Sequence, residues 1–170
     1  NLLMLVDMKK RRILVTGASG FIGRFLIENL AKDEDNIIIA LYNNSNVLDL
    51  YKDSDNRINW VKVDLVNDSI SNILLNIDVI YHLAGYSAIN PNIKELNLLN
   101  KLNIFVTQRL ANECKSSSVK HFIFVSSIAA CESSDNIIIT EKNGSPKSHY
   151  GLAKKKAEEI LLETSADCFN

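Results

Sequence analysis

Residues 13–23 read Ile-Leu-Val-Thr-Gly-Ala-Ser-Gly-Phe-Ile-Gly, and they are the most informative segment of the sequence for predicting its architecture. An apolar run ends at Gly17, glycines recur at positions 20 and 23, and a helix-period pattern of apolar residues begins at Phe21. A buried strand that turns sharply into a helix leaves the first backbone N–H groups of that helix directed at one spot, where the helix dipole adds roughly half a positive charge. Gly17 permits the turn, Gly20 lets a ligand approach the backbone, and Gly23 lets the helix pack on the strand. An ordinary βα turn is the alternative, but this context favours a dinucleotide-binding turn.

Segments of strand character alternate with segments of helix period along the rest of the chain. The strand-like runs are almost continuously apolar, as expected where both faces of a parallel sheet are covered. This alternation predicts an α/β fold, a Rossmann-type doubly wound parallel sheet. The long connection 132–149 predicts a binding loop. The predicted strands are 13–16, 37–41, 59–63, 79–83 and 122–126, and the predicted helices are 21–31, 69–75, 93–115 and 150–163.

Length and charge restrict the class of protein. The 170 residues fit one domain, expected over 11–170, with residues 1–10 as an extension ahead of the first strand. A net charge of −1, with both signs interspersed, gives no basic field for a nucleic-acid partner. The longest apolar runs have the length of strands, so we predict no membrane span.

The cysteines and histidines carry no recognisable pattern. Cys114, Cys131 and Cys168 are scattered, odd in number and without CxxC spacing, which predicts no disulfide framework and indicates a reducing, cytoplasmic location. The histidines lie too far apart in the sequence for a local set of metal ligands, and we predict no metal site.

A second group of polar residues follows a later strand. The run 122–126 ends in Ser126 and is followed by Ser127, and ligands of doubly wound sheets bind beyond the carboxyl ends of strands. Tyr150 and Lys154 begin the last predicted helix, on one face and one turn apart. A phenol has an ordinary pKa of about 10 and needs a neighbouring positive charge to act as a base near neutral pH. A surface pair on a helix is the alternative, but the position after a dinucleotide turn favours catalysis.

Together these motifs resemble the extended short-chain dehydrogenase/reductases, within the NAD-dependent epimerase/dehydratase family that modifies nucleotide sugars. The resemblance covers residues 11–165. The shared motifs are Thr16-Gly-Ala-Ser-Gly-Phe-Ile-Gly23, Val63-Asp64-Leu65, Tyr81-His82-Leu83-Ala84-Gly85, Asn103 within 102–107, Val125-Ser126-Ser127, and the pair Tyr150 and Lys154.

The resemblance implies that the chain binds NAD. Asp64 would bind the adenine, the segment after the fourth strand would line the cofactor, and Asn103 would have a structural role near the site. The cofactor-binding residues that the resemblance and the turn imply are Gly17, Ser19, Gly20, Phe21, Ile22, Gly23, Tyr42, Asn43, Asp64, Leu65, Leu83, Ala84, Gly85, Asn103, Tyr150 and Lys154.

The resemblance also implies the chemistry. Tyr150 would take a proton from a sugar hydroxyl while a hydride passes from the same carbon to the nicotinamide. Lys154 would lower the pKa of the tyrosine and hold the nicotinamide ribose, and Ser127 would hydrogen-bond the reacting oxygen. Ser127, Tyr150 and Lys154 therefore predict a nucleotide-sugar epimerase of the 4-epimerase type, with a tightly held cofactor and a nucleotide sugar as substrate.

Two positions depart from the family pattern. The acidic residue that bonds the adenosine ribose of NAD is replaced by Tyr42, followed by Asn43 and Asn44, and no arginine is near in the sequence to take a 2′-phosphate. NAD is favoured because an asparagine bonds a ribose hydroxyl, and NADP stays open. Ser127 is followed by Ile128 where sugar dehydratases carry an Asp-Glu pair, which argues against dehydration and leaves epimerisation or 4-keto reduction.

The chain stops at Asn170, where the family's sixth strand begins and before its substrate lobe. We therefore expect a truncated sheet, marginal stability and no turnover of nucleotide sugars by these residues alone. A non-catalytic dinucleotide-binding fragment is the second hypothesis. A homodimer is compatible with both, and the sugar, the nucleotide and the oligomeric state stay open.

Overall fold

The computed structural model describes residues 10–43, 55–131 and 145–168. Its centre is a five-stranded parallel sheet in the order β3-β2-β1-β4-β5. The predicted Rossmann-like α/β fold is confirmed. The strands are β1 Arg11–Thr16, β2 Asn36–Tyr42, β3 Ile58–Lys62, β4 Val79–His82 and β5 His121–Phe124, and the α-helices are α1 Phe21–Leu30, α2 Ser71–Leu74, α3 Ile93–Asn100, α4 Val106–Cys114 and α5 His149–Cys168.

The strand order reverses at β1, which pairs with β2 on one side and with β4 on the other. Leu14 in β1 lies opposite Ile39 of β2 and Ile80 of β4. Chain segments that leave neighbouring strands on opposite sides of such a point open a crevice at the carboxyl ends of the strands. The turn after β1 and the segment after β4 border this crevice.

Both faces of the sheet are covered, which explains the continuously apolar strands. One buried cluster includes Leu14 and Ile80 and continues into Leu110 of α4. The other includes Ile13 and Ile38 and continues into Ile27 of α1, and partly buried side chains including Tyr81 pack against it. Each such side chain removed from water stabilises the fold by about 1.5–3 kcal/mol.

The predicted helix 93–115 is interrupted by a π-helical segment, Lys101–Phe105, between α3 and α4. The N–H of Val106 donates to the carbonyl oxygen of Lys101, five residues back, instead of the residue four back. This π-helical segment contains Asn103, whose buried side chain forms hydrogen bonds with the backbone of Tyr86. A long-range contact thus accompanies an irregularity that helix periodicity does not reveal.

Strand β5 ends at Phe124, two residues earlier than predicted. The N–H of Val125 still reaches the carbonyl oxygen of His82, but the Val125 carbonyl accepts a hydrogen bond from the Lys154 side chain. A side-chain donor therefore replaces the next ladder bond. Helix α2 is also shorter than the predicted 69–75, and α5 begins at His149.

No helix within residues 10–43, 55–131 and 145–168 combines the length and the apolar character that crossing a membrane requires. The predicted extension 1–10 and the predicted binding loop 132–149 lie largely outside the described residues.

Candidate active site

The turn between β1 and α1 has the geometry that its glycines predict. Gly17 has a φ of 66°, in the left-handed region, and a Cβ there would lie 2.7 Å from the backbone nitrogen of Ala84. The N–H of Gly20 donates to the Gly17 carbonyl oxygen at 3.0 Å and closes the turn. A side chain on Gly23 would collide with the backbone carbonyl groups of Gly17 and Ala18. The first position permits the turn and the third permits close packing of α1.

Helix α1 begins beside this turn. The N–H of Arg24 donates to the Gly20 carbonyl oxygen at 3.1 Å, as the first regular bond of the helix. The backbone N–H groups of residues 21–23 precede that bond and point out of the helix end. The side chains of Phe21 and Ile22 lie exposed, and the unpaired backbone N–H groups are the part of this segment suited to an anion.

An open cleft of about 310 Å³ lies at the carboxyl ends of the strands. It brings together nine of the predicted cofactor-binding residues and three that were not among the predicted cofactor-binding residues. The predicted ones are Gly17, Ser19, Gly20, Tyr42, Asn43, Leu65, Leu83, Ala84 and Gly85, and the others are Leu41, Val63 and Leu102. The remaining predicted residues, Phe21, Ile22, Gly23, Asp64, Asn103, Tyr150 and Lys154, do not border this cleft.

The corner of the cleft after β2 carries Tyr42 and Asn43. Tyr42 is buried, and its ring meets Trp60 edge to face, with 6.3 Å between the ring centroids. The Asn43 residue is exposed. The described lining of the cleft contains no arginine and no acidic residue. Asn44 lies outside the described residues.

Asp64 is used within its own turn after β3. Its carboxylate accepts the Val66 N–H at 2.9 Å and the Asn67 side-chain amide at 2.8 Å. The hydrogen bond from Val66, followed by that from Asn67, holds the pKa of Asp64 below its ordinary value. The carboxylate stabilises the loop whose next residue, Leu65, borders the cleft.

Arg109 in α4 holds the same loop from behind. Its guanidinium donates to the carbonyl oxygens of Leu65, Val66 and Asp68, and it lies 3.6 Å from the Glu113 carboxylate. No local sequence pattern predicts this anchor. An arginine at helical spacing from a glutamate is a common surface pattern and carries no sign of a loop about forty residues away.

Lys154 is buried, with 3% of its surface exposed. Its Nζ atom donates to the Val125 carbonyl oxygen at 2.8 Å and lies 4.5 Å above the centre of the Phe124 ring. It lies 5.9 Å from the centre of the Tyr150 ring, one helical turn away. Burial lowers the pKa of Lys154, and the Glu158 carboxylate on the next turn acts in the opposite direction.

The lysine also reaches the edge of the cleft. A Cβ on Gly85 would lie 3.7 Å from Nζ of Lys154 and 2.8 Å from Oδ1 of Asn103. Gly85 borders the cleft. Lys154 and Asn103 therefore lie directly behind one wall of the cleft.

Ser127 lies on the turn before a short 3₁₀ helix, Ile128–Cys131. Its Oγ accepts the Ala129 N–H at 3.2 Å. A Cβ on Gly151 would collide with the Ala129 carbonyl group, so the first turn of α5, with Tyr150, lies directly against this segment. The neighbouring Ser126 donates instead to the Glu158 carboxylate, an interaction that no local sequence pattern predicts.

No cluster of three or more His, Cys, Asp or Glu side chains suited to a metal ion occurs in the described part of the chain.

The sequence model of the NAD dependent epimerase/dehydratase family matches residues 13–169. The chain belongs to this family. The match covers the turn, the cleft and the predicted catalytic residues. The relatives that resemble the chain include enzymes.

Two curated relatives illustrate the similarity. YtcB of Bacillus subtilis, an uncharacterized UDP-glucose epimerase, is 29% identical over 163 residues, which cover 88% of this chain and 50% of the relative. UDP-glucose 4-epimerase of Vibrio cholerae is 29% identical over 164 residues, which cover 92% of this chain and 48% of the relative. The chain thus spans about half the length of the curated relatives that it matches.

Two solved structures share the fold of this chain. UDP-glucuronic acid 4-epimerase from Bacillus cereus, in complex with UDP-glucuronic acid and NAD, gives a TM-score of 0.80 at 28% identity over 92% of this chain and 52% of that one. UDP-N-acetylglucosamine 4-epimerase from Methanobrevibacter ruminantium M1, in complex with UDP-N-acetylmuramic acid, gives 0.82 at 28% identity over 93% of this chain and 51% of that one.

Proposed function

We propose that this chain forms the cofactor-binding and catalytic part of an NAD-dependent nucleotide-sugar 4-epimerase. One observation carries the proposal. The Nζ atom of Lys154 lies within 5.9 Å of the centre of the Tyr150 ring and 3.7 Å from the position of a Cβ on Gly85, which borders the cleft. A single buried cation thus lies beside both the phenol and the wall of the cleft.

The chemistry of the cleft fits NAD. The N-terminal end of α1 and the glycines beside it suit a pyrophosphate, because unpaired N–H groups and the helix dipole favour negative charge there. Apolar side chains including Val63 and Leu65 suit the adenine ring. Tyr42 and Asn43 offer hydrogen-bonding groups for a ribose and no positive charge for a 2′-phosphate, which supports NAD over NADP.

Bound NAD would supply a hydride acceptor that also returns the hydride. The phenolic oxygen of Tyr150 takes the proton of the sugar hydroxyl and gives it back after the sugar has turned. The ammonium group of Lys154 lies in a largely buried position, 5.9 Å from the centre of the Tyr150 ring. Ser127 accepts the Ala129 N–H, and its hydroxyl group would donate a hydrogen bond to the reacting sugar oxygen while keeping its proton.

The relatives support a UDP-sugar as the substrate, since UDP-glucose, UDP-glucuronic acid and UDP-N-acetylglucosamine epimerases are among them. The reaction is tested with a version of the chain completed with a carboxyl-terminal substrate lobe, incubated with NAD and each of these UDP-sugars, and the C4 epimer is followed by proton NMR. We expect epimer to form with at least one of them, and none with residues 1–170 alone. The turnover of each variant is measured in the same completed version.

The role of Tyr150 is tested with Tyr150→Phe. We expect turnover to fall by about 10²–10⁴-fold, the usual loss for a general base, with NAD affinity unchanged in calorimetry. Tyr81→Phe is the matched control, because this half-buried ring packs against the core cluster with Ile13 and Ile38. Retention of more than about a tenth of the rate by Tyr150→Phe would assign the base to another residue.

A further inference from the structure

A chain of buried polar side chains runs beneath the cleft. Thr16 ends β1 and His82 ends β4. Asn103 lies in the π-helical segment, and Thr107 lies at the start of α4, which follows it. Each of these four residues is at most 1% exposed. Buried polar groups are costly unless they are hydrogen-bonded, so the pattern of donors in this chain is closely defined.

The direction of each hydrogen bond follows from one hydroxyl. The Thr107 hydroxyl group donates to the backbone carbonyl oxygen of Asn103 at 2.9 Å, and a carbonyl oxygen can only accept. The Thr107 oxygen, 3.0 Å from Nε2 of His82, must therefore accept a proton from that nitrogen. In a neutral ring Nδ1 is then an acceptor.

The other end of the ring completes the pattern. Thr16 Oγ1 lies 2.7 Å from Nδ1 of His82 and donates its proton to it. The Thr16 oxygen in turn accepts the N–H of Ala84 at 3.1 Å. Every donor in this path meets an acceptor, from the Ala84 amide to the Asn103 carbonyl.

We propose that His82, as the neutral Nε2–H tautomer, is a positioning residue that fixes the Gly17 turn against the Ala84 wall of the cleft. The proposal rests on the proposed function in one respect, that NAD occupies this cleft. The residue touches neither substrate nor cofactor and acts through Thr16, whose neighbour Gly17 lies against the backbone of Ala84.

The ring environment supports a single form of His82. The rings of Phe122 and Phe124 lie 5.9 and 5.8 Å from the imidazole, centroid to centroid. Burial, with a smaller contribution from the positive charge of Lys154, lowers the pKa of His82 to about 3. The opposite tautomer would turn Nε2 into an acceptor facing a hydroxyl whose proton is already bound to Asn103.

The segment that His82 positions is held at both ends. The Thr16 side chain accepts the Ala84 N–H at 3.1 Å. The Asn103 side chain accepts the Tyr86 N–H and donates to the Tyr86 carbonyl oxygen, both at 2.8 Å. Gly85 lies between these two anchors, beside Lys154. A change at the imidazole therefore reaches the cleft wall through Ala84.

The first measurement uses the unmodified protein and does not depend on NAD. Nitrogen-15 NMR of the histidine ring distinguishes the two tautomers and the charged form. We expect His82 to be neutral with its proton on Nε2 at pH 7. A proton on Nδ1, or a charged ring, would overturn the proposal.

The second measurement compares Thr107→Val with Thr107→Ser, and uses Thr164→Val as the control for loss of a buried threonine hydroxyl elsewhere. Valine removes the acceptor of the His82 proton, and serine restores it. We expect valine to speed hydrogen exchange of the Ala84 amide about tenfold and to weaken NAD affinity about tenfold, with kcat at saturating NAD unchanged. Serine and the control should match the wild type.

Unchanged Ala84 exchange in a folded Thr107→Val protein would refute the linkage. Should the valine variant not fold, the tautomer measured in the wild type still decides whether the donor pattern is correct. Failure of the wild type to bind NAD would refute the proposed function, whereas the tautomer and the exchange data would continue to test the role of His82.

Discussion

The Nζ atom of Lys154 donates a 2.8 Å hydrogen bond to the carbonyl oxygen of Val125, directly after β5. This bond ties helix α5 to the carboxyl end of the sheet and fixes the ammonium group in a largely buried position. Tyr150 lies one turn earlier on the same helix, so its ring lies near a cation whose position is held by a backbone hydrogen bond. The pair proposed to be catalytic is therefore anchored to the backbone directly after the strand that precedes Ser127.

Lys154→Met should impair both chemistry and cofactor binding. Methionine fills a similar volume but removes the charge beside the phenol and the group that the family resemblance implies for holding the nicotinamide ribose, so we expect turnover to fall at least about 10²-fold and NAD affinity to fall about tenfold. Steady-state kinetics and calorimetry measure the two effects. Lys156→Met, which breaks only an exposed ion pair with Glu159, is the control and should change neither. Wild-type turnover in Lys154→Met would contradict the assignment.

Gly20→Val and Gly23→Val should separate binding from folding. Among the described residues, a Cβ on Gly20 meets only the Gly17 carbonyl oxygen, at 3.2 Å, whereas one on Gly23 collides with backbone carbonyl groups. We expect Gly20→Val to fold and to lose NAD binding, and Gly23→Val to lose its cooperative unfolding transition. Circular dichroism and calorimetry distinguish these outcomes. A folded Gly20→Val protein with undiminished NAD affinity would remove the turn from the binding site.

Gly151→Ala should destabilise the contact between α5 and the segment after Ser127. The added Cβ collides with the Ala129 carbonyl group, and we expect the free energy of unfolding to fall by about 1–3 kcal/mol. Leu152→Ala, at the exposed neighbouring position, should change it far less. Urea denaturation of both variants checks this, and equal stabilities would show that the segment moves aside without cost.

Arg109→Met should loosen the loop after β3. Three carbonyl oxygens lose their donor, so we expect a loss of about 1–3 kcal/mol in the free energy of unfolding and weaker NAD binding through Leu65. Arg11→Met, which removes a half-exposed ion pair with Asp33, is a control of the same substitution. Denaturation and NAD titration measure both effects, and identical results for the two variants would argue against a special role for Arg109.

His82 should make the fold sensitive to acid. Its pKa falls from 6.5 to about 3 on burial, so between these values the unfolded chain binds a proton that the folded chain does not. The contribution is fully present above pH 6.5, and the free energy of unfolding falls by about 1.4 kcal/mol per pH unit as the pH decreases toward 3. Urea denaturation at several pH values should give a shallower slope for His82→Gln, while the exposed His121→Gln should follow the wild type. Parallel slopes for His82→Gln and wild type would show that His82 titrates normally in the fold.

Local pattern was sufficient for the sheet and for the turn. Residues 13–23 carry an apolar strand, glycines at fixed offsets and the start of a helix, and each of these signals acts within a few residues. The same holds for β2 and β4, whose apolar runs are buried on both faces. The structural roles of Gly17 and Gly23 were predictable because turn geometry and close packing depend on the backbone alone.

The partners of the polar side chains were decided by tertiary structure. Lys154 meets Val125 across 29 positions of sequence, and Arg109 meets Leu65 across 44. The π-helical turn at Lys101–Phe105 accompanies the contact between Asn103 and Tyr86, and the carboxylate of Asp64 turns into its own loop. Helix and strand periodicity report which face of an element is buried, and they carry no information on which distant donor meets which acceptor. The sequence alone therefore determined the fold and the types of residue at the site, and only the packing of α4 and α5 against the sheet decided how those residues are held.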